Sequence, residues 1–204
     1  MIINVVELSE KHDLRAHFEN QPVRRLKTTV IRGRKMEAVR VVHPIAPVFD
    51  RDSKVLILGS FPSVKSREAG FFYGHPQNRY WKVLAAVFGE KVPSSIEEKK
   101  AFLLRNHIAA WDVIQSCDIV GSSDSSIKNV VANDLEEILK KSQVTQIFVN
   151  GKTAEKMYLK YTKPRLGRDC ICLPSTSPAN AAWSVEKLVE AWKVVKDAMV
   201  PKGE

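Results

Sequence analysis

The chain has 204 residues, 44% hydrophobic and 27% charged, with a formal net charge of +9 and an isoelectric point near 9.5. That balance suits one domain with a real core and a short extra arm, and no apolar run approaches the ~20 residues needed to span a bilayer. Three cysteines (Cys117, Cys170, Cys172) are too few for a four-thiolate cluster and lack zinc spacing; with no signal peptide expected, they imply a reducing compartment and no metal. The positive charge either keeps the protein soluble or meets a polyanionic partner.

Residues 1–40 read as a basic N-terminal extension. Between Arg24 and Arg40, seven basic residues (Arg24, Arg25, Lys27, Arg32, Arg34, Lys35 and Arg40) stand against one acidic residue, Glu37. The stretch is either a solvated arm with strand character at Thr28-Thr29-Val30-Ile31 or one that touches phosphates. Residues 41–204 form the second unit. Val55-Leu56-Ile57-Leu58, stopped by Gly59, predicts a strand buried on both faces. Trp81, Leu84, Ala85 and Phe88 fall on one helical face over residues 80–88. Ser95-Ile96-Glu97-Glu98 reads as a capping box opening a helix to Arg105. Residues 108–114 predict a second strand. Asn133-Asp134 caps a helix to about Lys141, residues 144–149 form a third strand, and a helix follows over residues 152–161. Residues 169–173 form a fourth strand. Ser184 caps a last helix with Leu188, Ala191, Trp192 and Val195 inward.

Strands separated by helices imply an α/β fold with a mostly parallel sheet covered on both faces. Ligands then bind beyond the carboxyl ends of the strands, which points to the segments after Leu58, Ile114, Val149 and Leu173. Gly59-Ser60-Phe61-Pro62-Ser63 and Pro174-Ser175-Thr176-Ser177-Pro178-Ala179-Asn180 occupy two of these places. Neither is a Walker loop or a dinucleotide fingerprint, so no nucleotide cofactor is expected.

The run Leu56-Ile57-Leu58-Gly59-Ser60-Phe61-Pro62-Ser63, then His75-Pro76-Gln77-Asn78-Arg79-Tyr80-Trp81, resembles the first motif region of hypoxanthine-DNA glycosylases in the uracil-DNA glycosylase superfamily. The run Leu173 to Asn180 resembles the second superfamily motif, and Trp111-Asp112-Val113-Ile114 through Ile127 also fits. The resemblance covers about residues 41–192. It implies a three-layer α/β/α domain around a small central parallel sheet. The implied activity is a monofunctional DNA-repair glycosylase that hydrolyses the N-glycosidic bond of a flipped-out deaminated base (hypoxanthine, with uracil or xanthine) without metal or cofactor. It further implies a monomer whose partner is DNA containing such bases, with no membrane, working in the cytoplasm, or in the nucleus of a eukaryote.

Two positions depart from the superfamily pattern. Phe61 stands where several relatives carry a water-activating Asp or Asn, and Leu173 where uracil glycosylases often carry His. A phenyl ring can only stack, so Phe61 goes to the base pocket, and Asn78 becomes the candidate catalytic amide. Its other reading is the cap of the helix beginning at Arg79, and its oxygen can cap while the amide also serves catalysis. Asp112 aligns with the Asn that reads uracil. As an acceptor it takes N1–H of hypoxanthine or N3–H of uracil, or else it is tied locally. Tyr73, with Phe72, is a platform candidate; Ser60 and His75 join the base-binding set, though His75 before proline also reads as structural. Ser63, Lys65, Ser66, Ser175, Thr176, Ser177 and Asn180 are the expected DNA contacts. Asp124 with its serines is either a pocket wall or a capped turn.

Two other classes compete. A non-catalytic reader of damaged nucleic acid on the same fold is kept open by the lost polar groups at Phe61 and Leu173. An esterase-like hydrolase lacks the Gly-x-Ser-x-Gly elbow.

Overall fold

The computed structural model describes residues 37–200, so the basic run through Lys35 and the strand reading at residues 28–31 lie outside the described residues. In chain order the elements are β1 (Val39–Val42), β2 (Val55–Gly59), α1 (Val64–Ala69), α2 (Tyr80–Phe88), α3 (Ile96–Arg105), β3 (Ile108–Asp112), β4 (Ile114–Ile119), β5 (Lys128–Ala132), α4 (Glu136–Lys141), β6 (Gln146–Asn150), α5 (Lys152–Met157), α6 (Lys163–Leu166), β7 (Ile171–Leu173) and α7 (Val185–Asp197). A π-helical turn over Tyr158–Thr162 joins α5 to α6.

A parallel sheet of order β3-β2-β6-β7 forms the middle layer. Every residue of β2 is buried, and alternation divides them. Val55 and Ile57 pack with Trp81, Leu84, Phe102 and Trp192 of α2, α3 and α7. Leu56 and Leu58 pack with Ile114, Ile119, Ile138, Ala154 and Tyr158 on the opposite face. Each buried aliphatic contributes about 1.5–3 kcal/mol, which makes β2 the anchor of both layers. The three-layer α/β/α expectation describes this arrangement.

The expected second strand over residues 108–114 is two strands. The chain turns at Val113, and β4 enters a separate antiparallel sheet of order β1-β4-β5. Val113 N–H bonds Gly59 O at 2.9 Å and Ile114 N–H bonds Ser60 O at 3.1 Å, so the corner is tied to the chain leaving β2. An unbroken apolar run hides such a corner because both halves are buried. Residues 39 and 40, placed in the extension by sequence, belong to β1.

The caps follow the sequence closely. Ser95 and Glu98 form the capping box, and Ser184 accepts from Lys187 N–H. At the third expected cap, Asp134 accepts from Glu136 N–H, while Asn133 turns inward to donate to Asp112 O at 2.9 Å. Helix α1 replaces what reads as loop; Ser63 caps it, and Gly70 ends it in the left-handed conformation. Among the described residues no helix is long and apolar enough to cross a membrane, and no group of three or more His, Cys, Asp or Glu is set to hold a metal.

Candidate active site

From β2 the chain crosses to β3 on one side, then returns to β6 and β7 on the other. The carboxyl ends of β2 and β6 therefore flank the switch point where such sheets bind ligands. A cavity of about 460 Å³ opens there, within the ~300–1,000 Å³ of small-molecule sites. Its wall includes Ser60, Phe61, Ser63, Lys65, Ser66, Tyr73, His75, Asn78, Asp112, Ser175 and Ser177. Thr176 and Asn180 stand behind it. Asn150, at the end of β6, also lines the cavity; the segment after Val149 was marked by the fold rule, but no residue of it stood out by type.

Two wall residues, Asn150 and Asn78, and Thr176 behind them form a hydrogen-bond chain whose direction is fixed at both ends. Asn150 Oδ1 accepts from Thr176 N–H at 3.0 Å, so its amide nitrogen donates to Thr176 Oγ1 at 2.9 Å. That hydroxyl spends its single proton on Asn78 Oδ1 at 3.0 Å. Asn78 Oδ1 also accepts from Tyr80 N–H at 3.0 Å, the first N–H of α2. The helix begins at Tyr80 with Arg79 as its N-cap, so Asn78 supports the helix start from one residue before the cap position. A backbone N–H can only donate, so neither amide can be flipped without setting donor against donor. Asn78 thus serves the start of α2 and the cavity wall together, with its oxygen used and its amide nitrogen left over.

Asp112 is buried, and its Oδ2 meets His43 Nε2 at 2.7 Å. A Cβ on Gly59 would run into Asp112 Oδ1 and lie 3.2 Å from the Tyr73 hydroxyl, so only glycine lets both groups converge above the end of β2. Tyr73 has φ of 53°, an uncommon backbone state for an aromatic residue. Its ring stacks on Tyr80 with centroids 3.7 Å apart. Its hydroxyl is enclosed without a hydrogen-bond partner among the described residues. Burial pushes this phenol well above its ordinary range and the Asp112 charge adds to the shift; the nearby Asn150 amide pulls the other way without reaching hydrogen-bond geometry. Tyr73 is therefore a neutral O–H donor.

Phe61 is a buried wall residue, with His43 edge-on to its ring at 5.9 Å and the Arg67 guanidinium 5.8 Å from its centroid. His75 Nδ1 accepts from Gln77 N–H at 3.2 Å, which steadies the loop and leaves Nε2 over. Ser66 differs from expectation. It is buried, and its hydroxyl holds Gly74 N–H at 3.0 Å and Ser63 Oγ at 3.0 Å, so it braces the wall from inside instead of facing a phosphate. Thr176 is fully buried for the reason given above. Asn180 donates to Ser175 O at 2.9 Å, folding the loop on itself. Lys65 is exposed and paired with Glu68 at 2.8 Å.

Arg79, next to Asn78 in the His75–Trp81 motif, has a structural role. Its guanidinium gathers the carbonyls of Ser177, Asn180 and Trp183, and its Nε that of Thr176 at 3.3 Å. It locks the loop after β7 onto the start of α2. Asp124 and its serines serve in both of their expected roles: Ser126 closes a turn with Val120 and Ser123, while Ser122, Ser123 and Asp124 line the cavity mouth.

The family model of the Uracil DNA glycosylase superfamily matches residues 46–197. The chain belongs to the uracil DNA glycosylase superfamily. Family membership makes it a DNA glycosylase. A protein of Methanosarcina acetivorans named hypoxanthine DNA glycosylase is 34% identical over 155 residues, 72% of this chain and 93% of the relative. One of the same name from Methanosarcina barkeri is 35% identical over 109 residues, 52% of this chain and 68% of that protein. An NMR structure of a Methanosarcina acetivorans protein assigned as a uracil DNA glycosylase has a TM-score of 0.64 at 30% identity, covering 80% of this chain and 98% of that one. All the cavity-lining residues of the glycosylase fall within the matched region, whereas His43 lies before it.

Proposed function

We propose that this glycosylase removes hypoxanthine, with uracil and xanthine as further substrates, from DNA in which the damaged nucleotide is flipped into the cavity at the β2/β6 switch point. The observation that supports it is the pairing of an acceptor-only carboxylate with an unpartnered donor above Gly59. Deamination of adenine turns N1 from acceptor to N–H donor and replaces the 6-amino group by a carbonyl. Asp112 takes the N–H and Tyr73 donates to the adjacent oxygen. Adenine sets its N1 lone pair against the Asp112 carboxylate and leaves that acceptor unsatisfied, at about 1–3 kcal/mol, whereas the Tyr73 hydroxyl can turn to accept from the 6-amino group. Uracil differs from cytosine in the same sense at N3 and O4. Phe61 stacks on the extruded base, whose extrusion costs about a few kcal/mol and less in a mismatch.

Asn78 positions the attacking water. With Oδ1 occupied, its amide nitrogen donates to one lone pair of the water and leaves the other for C1′. As the C1′–N bond breaks, its electron pair leaves with the base, the water oxygen bonds to C1′, and the water proton passes to the departing base or to solvent. A transition state of oxocarbenium character does not need a strong base, which suits a site with Phe61 in place of Asp. Thr176 N–H and Ser177 N–H are spent on Asn150 Oδ1 and Ser175 Oγ, so the donors for the departing base are the Ser175 backbone N–H and His75. Ser63, Lys65, Ser175 and Ser177 contact phosphates at the rim, with the exposed Pro178-Ala179 tip as the wedge.

The test is alkali-developed strand cleavage of labelled duplexes carrying one hypoxanthine, uracil or normal base, with wild type and Asn78→Ala. Cleavage at the deaminated base alone, lost in Asn78→Ala, supports the proposal. Binding without cleavage on every substrate would favour the non-catalytic reader.

A further inference from the structure

The His43 ring meets Asp112 Oδ2, while the other carboxyl oxygen packs over Gly59, and His43 itself is not part of the cavity lining. It follows β1, before the region shared with the family. Its side chain is 2% exposed and sits among Phe61, Phe72 and Trp111, with ring centroids 5.9, 6.4 and 6.2 Å away. Nδ1 accepts from Ile45 N–H at 3.2 Å. A nitrogen that accepts carries no proton, so Nε2 bears the hydrogen and donates it to Asp112 Oδ2 at 2.7 Å. Phe61 and Phe72, which cage the ring, are also cavity walls.

We propose that His43 is a positioning residue for base recognition, which holds Asp112 as a fixed acceptor. The inference rests on the proposed reading of Asp112. A buried carboxyl group without a hydrogen-bond partner turns away from the place it should hold. The Nε2–H of His43 occupies Oδ2 and fixes the plane of the carboxyl group, so that Oδ1, packed over Gly59, is held toward the base. The Ile45 N–H makes the other tautomer unavailable, and the aromatic cage excludes the water that would otherwise compete.

The test uses the full chain and duplexes with hypoxanthine or adenine opposite thymine. His43→Leu should lower kcat/KM for hypoxanthine at least ~10-fold and narrow the hypoxanthine-to-adenine ratio, as expected when a polar recognition group loses its support. His43→Gln, whose amide reaches the place of Nε2, should restore most of the activity; His43→Asn, which reaches only the place of Nδ1, should not. In an Asp112→Ala background, His43→Leu should have little further effect, because His43 acts through Asp112. Independently, the ¹⁵N spectrum of wild-type ring nitrogens should show Nε2 protonated and Nδ1 bare. An Nδ1–H tautomer, equal loss in the Gln and Asn variants, or effects of His43→Leu and Asp112→Ala that multiply would each overturn the inference. The spectrum decides even if His43→Leu fails to fold. A wild type inactive on every deaminated base would overturn the functional reading and this inference with it, whereas an active wild type with any of those three results would overturn this inference alone.

Discussion

The Thr176 hydroxyl donates to Asn78 Oδ1 at 3.0 Å across 98 positions of sequence. It joins the loop after β7 to the first turn of α2 and decides which end of the Asn78 amide faces the cavity. Thr176→Val should leave the Asn150 amide nitrogen without its acceptor, and cost about 1–3 kcal/mol of stability. Excision should fall because the Asn78 amide is no longer held. Asn78→Ala should cost about 1 kcal/mol for the lost hydrogen bonds to Tyr80 N–H and Thr176 Oγ1, and about 10²–10³-fold in kcat as a lost positioned donor. Denaturant melts beside single-turnover kinetics separate the two effects.

Tyr73→Phe removes a buried hydroxyl that has no partner among the described residues. Thermal melts should show stability unchanged or raised by up to about 1 kcal/mol, while hypoxanthine excision falls about 10-fold or more. A loss of stability at unchanged activity would show the hydroxyl to be bonded within the fold instead.

Gly59→Ala places a methyl group against the Asp112 carboxylate. Overpacking of this kind costs about 1–3 kcal/mol, and the displaced carboxylate should abolish measurable excision in a protein whose circular dichroism is still native.

The net charge of +9 and the polar rim predict a binding affinity for DNA that falls with salt whatever base is present. Each phosphate neutralised by Lys or Arg contributes about −0.9 to the log–log slope, a loss of about 3.5-fold per such contact for a fourfold rise in salt. Fluorescence anisotropy with damaged and undamaged duplexes checks this; a flat response would argue against a DNA partner.

Glu90, after α2, binds Arg105 and Asn106 at the end of α3. The Arg105 hydrogen bond holds its carboxyl below the ordinary 4.5, with burial working weakly against it. A depressed folded-state value stabilises the protein above pH 4.5, and this contribution drains away as pH falls through the folded value. Arg105→Ala should therefore cost under about 1 kcal/mol at pH 7, since the pair is near the surface, and nothing in acid melts well below pH 4.

Much of the fold is legible from local chemistry. The β2 run, the face of α2, and the caps at Ser95 and Ser184 depend on neighbours within one or two turns, and residue type with spacing encodes them. The corner at Val113 and strands β1, β4 and β5 were not legible. The corner is buried on both sides, and β1 and β5 are short and mostly exposed, so neither leaves a clear period. Helix α1 was missed because the cap signal at Ser63 precedes a turn without an apolar stripe.

The candidate site divides in the same way. By itself the sequence determined which segments reach the cavity, because parallel strands deliver their following loops to one edge, and it determined the chemical types available there: an amide at Asn78, a carboxylate at Asp112, rings at Phe61 and Tyr73. The tertiary structure decided what each type can do. Ser66 and Thr176 become internal braces, Asn78 turns its nitrogen outward, and His43, a residue from outside the shared domain, fixes Asp112. Hydrogen-bond direction depends on which donors arrive from distant segments, such as Ile45 N–H at His43 and Thr176 Oγ1 at Asn78, and no local pattern records those meetings.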